Sequence, residues 1–429
     1  MTLAKRFLLG SAAALVATTG AQAADLGLPV APAVDYVQIC SIGSFTGFIL
    51  PGSDVCFDIS GHARFQVDMN EEGSNNLLPG AGGNDDYDMS GEAVINVDAR
   101  TLTEFGLLRA FATIGSDTFE DDDEPAEFEK AFIQFGGLTA GVTDSFFDPV
   151  FTGEAMGTAS GAGMAGDVDH ALIAYTAAFG NGFTATLSLE NDDARQPGAG
   201  NGYVVPAGVF GLLAPVTIGA YDESETMPDV VVSLRVNQAW GEARLNAALH
   251  EVDPAAAASD SEFGYAIGAS AKFNVPFGHT STIGFMGTYT SGATSYTGID
   301  NNVAGLGMPL IDYTPSTTPN NIELTTAWVV GAGFEYGITE MLDLEVDGFY
   351  GAVDHDEAFL GAGVADADYD VYSIRGSLAY RPVAGLEIRA GVDYIALDGA
   401  SNTAAVPGII GVNQDDDEFA GRLRVTRSF

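Results

Sequence analysis

Arg64, Arg100, Arg109, Arg422 and Arg424 share a setting: each falls on the polar parity of a segment in which polar and apolar residues alternate. Lys130, Arg235, Arg244, Lys272, Arg375, Arg381 and Arg389 obey the same rule, and Arg427, near a strand end, departs from it. Five carboxylates, Asp144, Asp148, Glu154, Asp167 and Asp169, lie on or beside a long connection at 145–168. Cations on a wall, faced by carboxylates on a loop, would set up a field across a narrow aqueous space. Such a field orients dipolar solutes and favours hydrated molecules over apolar ones, with no bond made or broken. The alternative is that the arginines pair with lumenal carboxylates such as Asp58, Asp98 and Glu387 and simply hold a wall together.

Other chemistries find less support. Sixteen Lys and Arg against 59 Asp and Glu give a formal charge of −43, which leaves no basic surface for nucleic-acid phosphates. None of the five His falls in H-E-x-x-H, and no G-x-S-x-G elbow is present. A hydrolase would need a triad dispersed along the chain. Gly161 to Gly166 match G-x-G-x-x-G, but no βαβ pattern surrounds them, so they read as loop glycines. No cofactor is expected. The acidic runs Asp121-Asp122-Asp123-Glu124 and Asp415-Asp416-Asp417-Glu418 could hold Ca²⁺ or Mg²⁺ and bridge lipopolysaccharide phosphates, although composition favours solvated loop charge.

The elements that would position the arginines are strands. Phe57 to Met69 alternate cleanly, with Phe57, Ile59, Ala63, Phe65 and Val67 on one side and Asp58, Ser60, Arg64, Gln66 and Asp68 on the other. The C-terminus repeats the pattern from Phe419 to Phe429. Fourteen further segments lie near 92–101, 106–115, 127–135, 137–144, 169–179, 182–191, 228–238, 241–251, 261–273, 280–291, 324–336, 341–352, 369–381 and 385–397. Short turns, such as Gly136-Gly137 and Gly180-Asn181, alternate with long connections near 70–91, 116–126, 145–168, 192–227, 252–260, 292–323, 353–368 and 398–417. Sixteen strands with connections segregated by length point to an all-β fold, a sixteen-stranded antiparallel transmembrane β-barrel with short periplasmic turns and long extracellular loops. A soluble β-sandwich also segregates charge by parity, but has no reason to segregate its loops. An apolar face rich in Ala and Gly, with Trp328, Phe334, Tyr336, Tyr372, Tyr380 and Tyr394 towards strand ends, suits acyl chains bounded by interfacial girdles.

Lys5 and Arg6, the apolar stretch from Phe7 to Val16, and Ala21-Gln22-Ala23 form an export signal, 1–23, cleaved after Ala23. Residues 24–56 follow as an N-terminal periplasmic or lumenal segment, and 57–429 as the barrel. Cys40 and Cys56 would meet an oxidising compartment, where a disulfide is the simple reading. Closing a loop of this size stabilises a fold by about 3 kcal/mol in the chain-entropy model. Metal binding would need further Cys or His ligands.

Val34-Asp35-Tyr36-Val37-Gln38-Ile39-Cys40, then Leu50-Pro51-Gly52-Ser53-Asp54-Val55-Cys56-Phe57 and Gly61-His62-Ala63-Arg64, resemble the mature N-terminus of alphaproteobacterial general porins of the type-2 family. The likeness continues at Thr101 to Gly106, Phe132 to Leu138 and Gly182-Phe183, and ends in the terminal Phe429. His62, where an aromatic Tyr is common, and the extreme acidity depart from the pattern. The resemblance implies a trimeric outer-membrane channel in contact with lipid and lipopolysaccharide, its third long loop (145–168) folded into the lumen as the constriction. It also implies that Phe429 is an assembly signal read by the outer-membrane assembly machinery. The expected activity is passive diffusion of small hydrophilic solutes and ions, with cations favoured by the carboxylate excess. A channel selective for one solute class is the alternative, and an outer-membrane hydrolase a more distant one.

Overall fold

The computed structural model describes residues 38–50, 52–70, 87–119, 127–152, 169–192, 195, 203–205, 216–218, 221, 227–254, 260–299, 310–315, 321–355, 368–399 and 415–429. The chain divides into two units, Met1–Gln38 and Ile39–Phe429. The expected export signal, Glu154, Asp167, Gly161 to Gly166 and the run Asp121 to Glu124 lie outside the described residues.

Two short strands, β1 (Gln38–Ile42) and β2 (Phe45–Ile49), form a hairpin. The barrel begins with β3 (Cys56–Asn70), β4 (Tyr87–Thr103), β5 (Gly106–Phe119), β6 (Glu127–Phe135), β7 (Leu138–Asp144), β8 (Asp169–Gly180) and β9 (Phe183–Glu190). A loop with the small hairpin β10 (Tyr203–Val205) and β11 (Val216–Ile218) leads to β12 (Asp229–Gln238), β13 (Gly241–Val252), β14 (Glu262–Asn274) and β15 (Ser281–Ser291). A second loop carries a 3-10 turn (Thr294–Thr297) and the hairpin β16 (Tyr313–Pro315) and β17 (Ile322–Leu324). The remaining strands are β18 (Thr326–Thr339), β19 (Leu342–Asp354), β20 (Tyr369–Val383), β21 (Leu386–Gly399) and β22 (Asp415–Ser428). Sixteen of these strands pair antiparallel with their sequence neighbours, and β22 closes the ring on β3, from Ala420 opposite Asn70 to Ser428 opposite His62.

Closure decides where the two faces point, because a closed sheet has an inside and no edges. On β14 the outward residues Phe263, Tyr265 and Ile267 are 55, 42 and 50% exposed, whereas inward Ala266 is fully buried. That is the reverse of a water-soluble sandwich, which buries its apolar face. The outer surface is an apolar band for lipid. Its rims carry aromatic pairs, Tyr265 with Tyr289 and Trp328 with Tyr350 at one end, Trp240 with Phe273 and Phe334 with Tyr336 at the other. Arg427, the cation that breaks parity, is exposed at the short-turn end, where its Nη1 donates to Ala384 O at 3.0 Å. Among the described residues no helix is long and apolar enough to cross a membrane, so the crossing is by strands.

Several strands outrun their expected limits. β4 reaches Tyr87 and β5 reaches Phe119, because pairing continues past the roughly 9–11 residues a bilayer requires. Asp415 to Glu418 belong to β22, opposite Asp398 to Ile395, and so correct the reading of that run as loop. The Gly180-Asn181 turn proves to be centred one residue later. Gly180, Asn181 and Gly182 all adopt positive φ (82°, 52° and 77°), the backbone that a tight hairpin demands.

Cys40 and Cys56 form a disulfide. β2 pairs with β3 at Phe48–Phe57 and Ile49–Cys56. Two ordinary strand spacings would set β1 about 10 Å from β3. The Cα atoms of Cys40 and Cys56 are 5.9 Å apart, so the hairpin curls back towards β3. Phe45 then lies beneath the lumenal Arg100, whose Cζ is 4.0 Å from the ring centroid.

Candidate pore lining

Residues 145–152 leave the end of β7 and run along the inner wall strand by strand. The Ser145 hydroxyl and the Phe146 amide donate to Glu190 at the end of β9, at 2.6 and 3.0 Å. Phe147 is buried against Val231, Ala248, Ala266 and Tyr296, with its ring 4.6 Å from that of Tyr296. Asn246 Nδ2 donates to Phe147 O at 2.7 Å, Arg244 Nη1 to Asp148 O at 2.9 Å, and the Val150 amide to Ser270 Oγ at 2.9 Å. Phe151 closes on Met286, Val329 and Phe349, and Thr152 bonds Thr282. Residues 145–152 thus cover the inner face from β9 round to β19. Gly333 makes room for them, since a Cβ there would lie 1.8 Å from Thr152 O.

The extracellular loops fill space above the same half. Tyr221 and Thr294 both donate to Asp312, while Tyr296 and His250 hold Asp229. Burial, with Asp312 beside Tyr221 and Asp229 beside Tyr296, raises both phenols far above their usual range and keeps them protonated donors. Ile299 and Leu310 pack on Val353, Val371 and Ile395 of the wall.

The arc from β20 through β22 and β3 to β6 carries most of the lumenal cations, with Arg235, Arg244 and Lys272 on β12 to β14 outside it. Arg100 and Arg109 both donate to Asp98, with closest contacts of 2.7 and 2.9 Å. Arg422 is bidentate to Asp68, Arg64 pairs with Glu92, and Arg424 bonds the neutral Gln66 Oε1 at 3.0 and 3.2 Å. Arg375 pairs with Asp347, Arg381 with Asp343 and Glu387, and Arg389 with Glu345 and Glu387. The five arginines singled out by parity do sit on adjacent strands, but they are not a bare basic wall. Asp68, Glu92 and Asp98 are interleaved with them, because opposite charges on neighbouring strands pair across about 5 Å.

The acidic candidates divide. Asp144 and Asp169 are register partners on β7 and β8, and both approach Lys130 Nζ, Asp169 at 3.4 Å. Asp148 lies further along the third loop, 3.5 Å from Arg195 Nη2. Arg195 is itself buried, its Cζ 4.4 Å over the Tyr296 ring, and so ties the third loop to two others. Burial pushes the Asp148 carboxyl up to about 7, helped by Asp144 and Glu190 and opposed by Arg195 and Arg244. Its raised proton affinity favours the docked loop at low pH, and that contribution is lost as pH rises from the ordinary carboxylate range to about 7. Acidification across about pH 7 should therefore remove one lumenal negative charge and lower cation preference. Reversal potentials over that range should show the step, and Asp148→Asn should flatten it.

A profile for the Porin subfamily matches residues 28–422, almost the whole barrel. The chain belongs to the Porin subfamily. Among curated relatives, Porin Omp2b of Brucella suis is 26% identical over 437 residues, and that of Brucella abortus (strain 2308) 27% identical over 439, each covering 99% of both chains. The trimer form of OmpT, an outer-membrane protein of Vibrio cholerae, superposes with a TM-score of 0.51 at 10% identity, over 88% of this chain and all of that one. That likeness speaks to the fold. This porin is accordingly an outer-membrane, multi-pass β-barrel channel.

Asp98 and Glu387, two of the carboxylates weighed as arginine partners, do pair, whereas Arg195, one cation in an acidic stretch, and the carboxylates Asp68 and Glu92 are not among the expected site residues. Asp68 and Glu92 share the parity of the arginines they pair with, so that signal was available. Phe146, Phe147 and Phe151 gave another, as apolar residues too many for a solvated loop.

Proposed function

We propose that this porin is a non-enzymatic, water-filled channel through which small hydrophilic solutes and ions diffuse along the arc that Ser145–Thr152 leave uncovered. The observation that carries this reading is the docking of Ser145–Thr152 on the wall from β9 to β19, which leaves the charged arc from β20 to β6 free of it. Paired charges on that arc keep it hydrated while dividing it into alternating donors and acceptors, as suits polar solutes of many kinds. Arg64, Arg100, Arg109, Arg422 and Arg424, with Asp144, Asp148, Glu154, Asp167 and Asp169, set its local field.

The protein works as a trimer, a state named for the Vibrio cholerae OmpT structure that shares the fold. Phe429 is the signal for the assembly machinery. It ends β22 with exchanged backbone hydrogen bonds to Gly61, and its ring is exposed at the rim. Cleavage after Ala23 precedes insertion. The carboxylate excess makes the mouth cation-selective.

Conductance in planar bilayers tests the reading. Salt screens charge within about 8 Å at physiological strength, so cation preference is strongest in dilute salt and declines as salt rises. Anion preference in dilute salt would contradict the assigned selectivity, and a chain that inserts without conducting would contradict the channel.

A further inference from the structure

One inner-wall pair is apolar on an otherwise charged and polar arc. Phe111 on β5 and Phe132 on β6 are register partners on the lumenal parity, with ring centroids 5.2 Å apart, and both stay partly exposed. Other lumenal aromatics are buried where inward loops meet the wall: Phe147, Phe151 and Tyr296 on the loops, and Phe349 on β19. The Phe111–Phe132 pair lies on the arc that residues 145–152 do not cover, where serine or threonine would hydrate better.

The surroundings of the rings are those of a recognition site. Register places Asp58, Asp98, Phe111 and Phe132 in one row across β3 to β6. Two carboxylates therefore lie beside two rings at a single height on the wall. The next row towards the short turns supplies Arg109, whose Cζ stands 4.9 and 5.1 Å from the two ring centroids and whose Nη1 donates to Gln134 Oε1 at 3.1 Å. Asp98 is saturated by Arg100 and Arg109, whereas the Asp58 carboxylate accepts no hydrogen bond from any described residue. Gly141 completes the platform, since a Cβ there would stand 2.6 Å from Phe132 Cα.

We propose that Phe111 and Phe132, rimmed by Asp58, Arg109 and Gln134, form a subsite for a neutral pyranose sugar. A pyranose presents one face of C–H bonds, which stacks on aromatic rings, and an equator of vicinal hydroxyls, which planar carboxylate, amide and guanidinium groups bind in pairs. Asp58 and Asp98 balance Arg100 and Arg109, so the two adjacent rows together hold no net charge to attract an ion. Each row of strands is about 4.8 Å wide, and two rings together match one sugar ring. Binding of this kind is weak and reversible, as passage through a channel requires.

The inference rests on the channel reading, and its test separates the two. Single channels of the full-length mature protein in planar bilayers are exposed to glucose or maltose at fixed KCl. The expected result is brief interruptions of the ion current whose frequency saturates with sugar concentration. Phe111→Ala and Phe132→Ala should each weaken apparent sugar affinity by about threefold to tenfold, the range of an aromatic contact, with conductance in KCl alone showing that the barrel has formed. Phe111→Tyr should restore binding, and Asp58→Asn should weaken it. Ordinary conductance without sugar interruptions overturns the subsite. So do interruptions unchanged in both alanine variants, or interruption by benzoate in place of sugar, which would mark an aromatic-anion site. Absence of any ion conductance would instead defeat the channel itself.

Discussion

Deleting Phe146–Thr152 is expected to raise single-channel conductance severalfold and to admit larger solutes. The segment follows the wall from Glu190 to Thr282 and Gly333, and occupies lumen that would otherwise hold water. It is held there by two buried rings, and removing a buried Phe side chain costs roughly 3–5 kcal/mol. Little of that penalty falls on the barrel, because the strands behind the loop keep complete ladders to both neighbours. Conductance in planar bilayers, with swelling rates of liposomes in graded sugars, measures the change. Unaltered conductance and size limit in a correctly inserted variant would show that the third loop does not set the bore.

The second large effect concerns the two faces of one strand. Ile95 is 47% exposed on the outer face of β4, and its neighbour Asn96 points inward, where its Oδ1 accepts from Thr113 Oγ1 at 2.7 Å. An arginine on the lipid face near mid-membrane costs about 2–4 kcal/mol, while the lumen tolerates it. Ile95→Arg should therefore lower the urea midpoint of the folded barrel in lipid vesicles by that equivalent. Asn96→Arg should leave stability within about 1 kcal/mol, the worth of the hydrogen bond it removes, and should lower cation preference. Equal destabilisation by both would mean that the faces are assigned wrongly.

The barrel was legible because its signal is repeated. Period-two alternation in Phe57 to Met69 recurs around the ring, and short turns alternate with long loops at every step. What escaped is held by few residues or by distant ones. Gln38–Ile42 and Phe45–Ile49 are five-residue strands, too short for alternation to stand out, and the disulfide and Arg100 fix them. β10, β11, β16 and β17 have three residues each.

The lining was half legible. Parity placed every strand arginine except Arg427 inside, yet could not say that Arg64 meets Glu92 or that Arg422 meets Asp68. That depends on register, and a shift of one residue would undo each pair. Asp148 was identified as a lumenal carboxylate, but its neighbour Arg195 comes from a separate loop with no period to reveal it. The aromatic row at Phe111 and Phe132 breaks the polar parity of its strands, and departures of that kind mark function more often than fold.

The central claim is that polar parity faces an aqueous lumen and apolar parity faces acyl chains. The native cysteines are paired with each other, so a single cysteine introduced elsewhere is the sole reactive thiol. Gln66→Cys and Phe65→Cys place that thiol on opposite faces of β3. A charged, membrane-impermeant thiosulfonate applied during single-channel recording should modify the first variant, with a stepwise change in current, and leave the second unaltered. Modification of Phe65→Cys with Gln66→Cys inert would contradict the account.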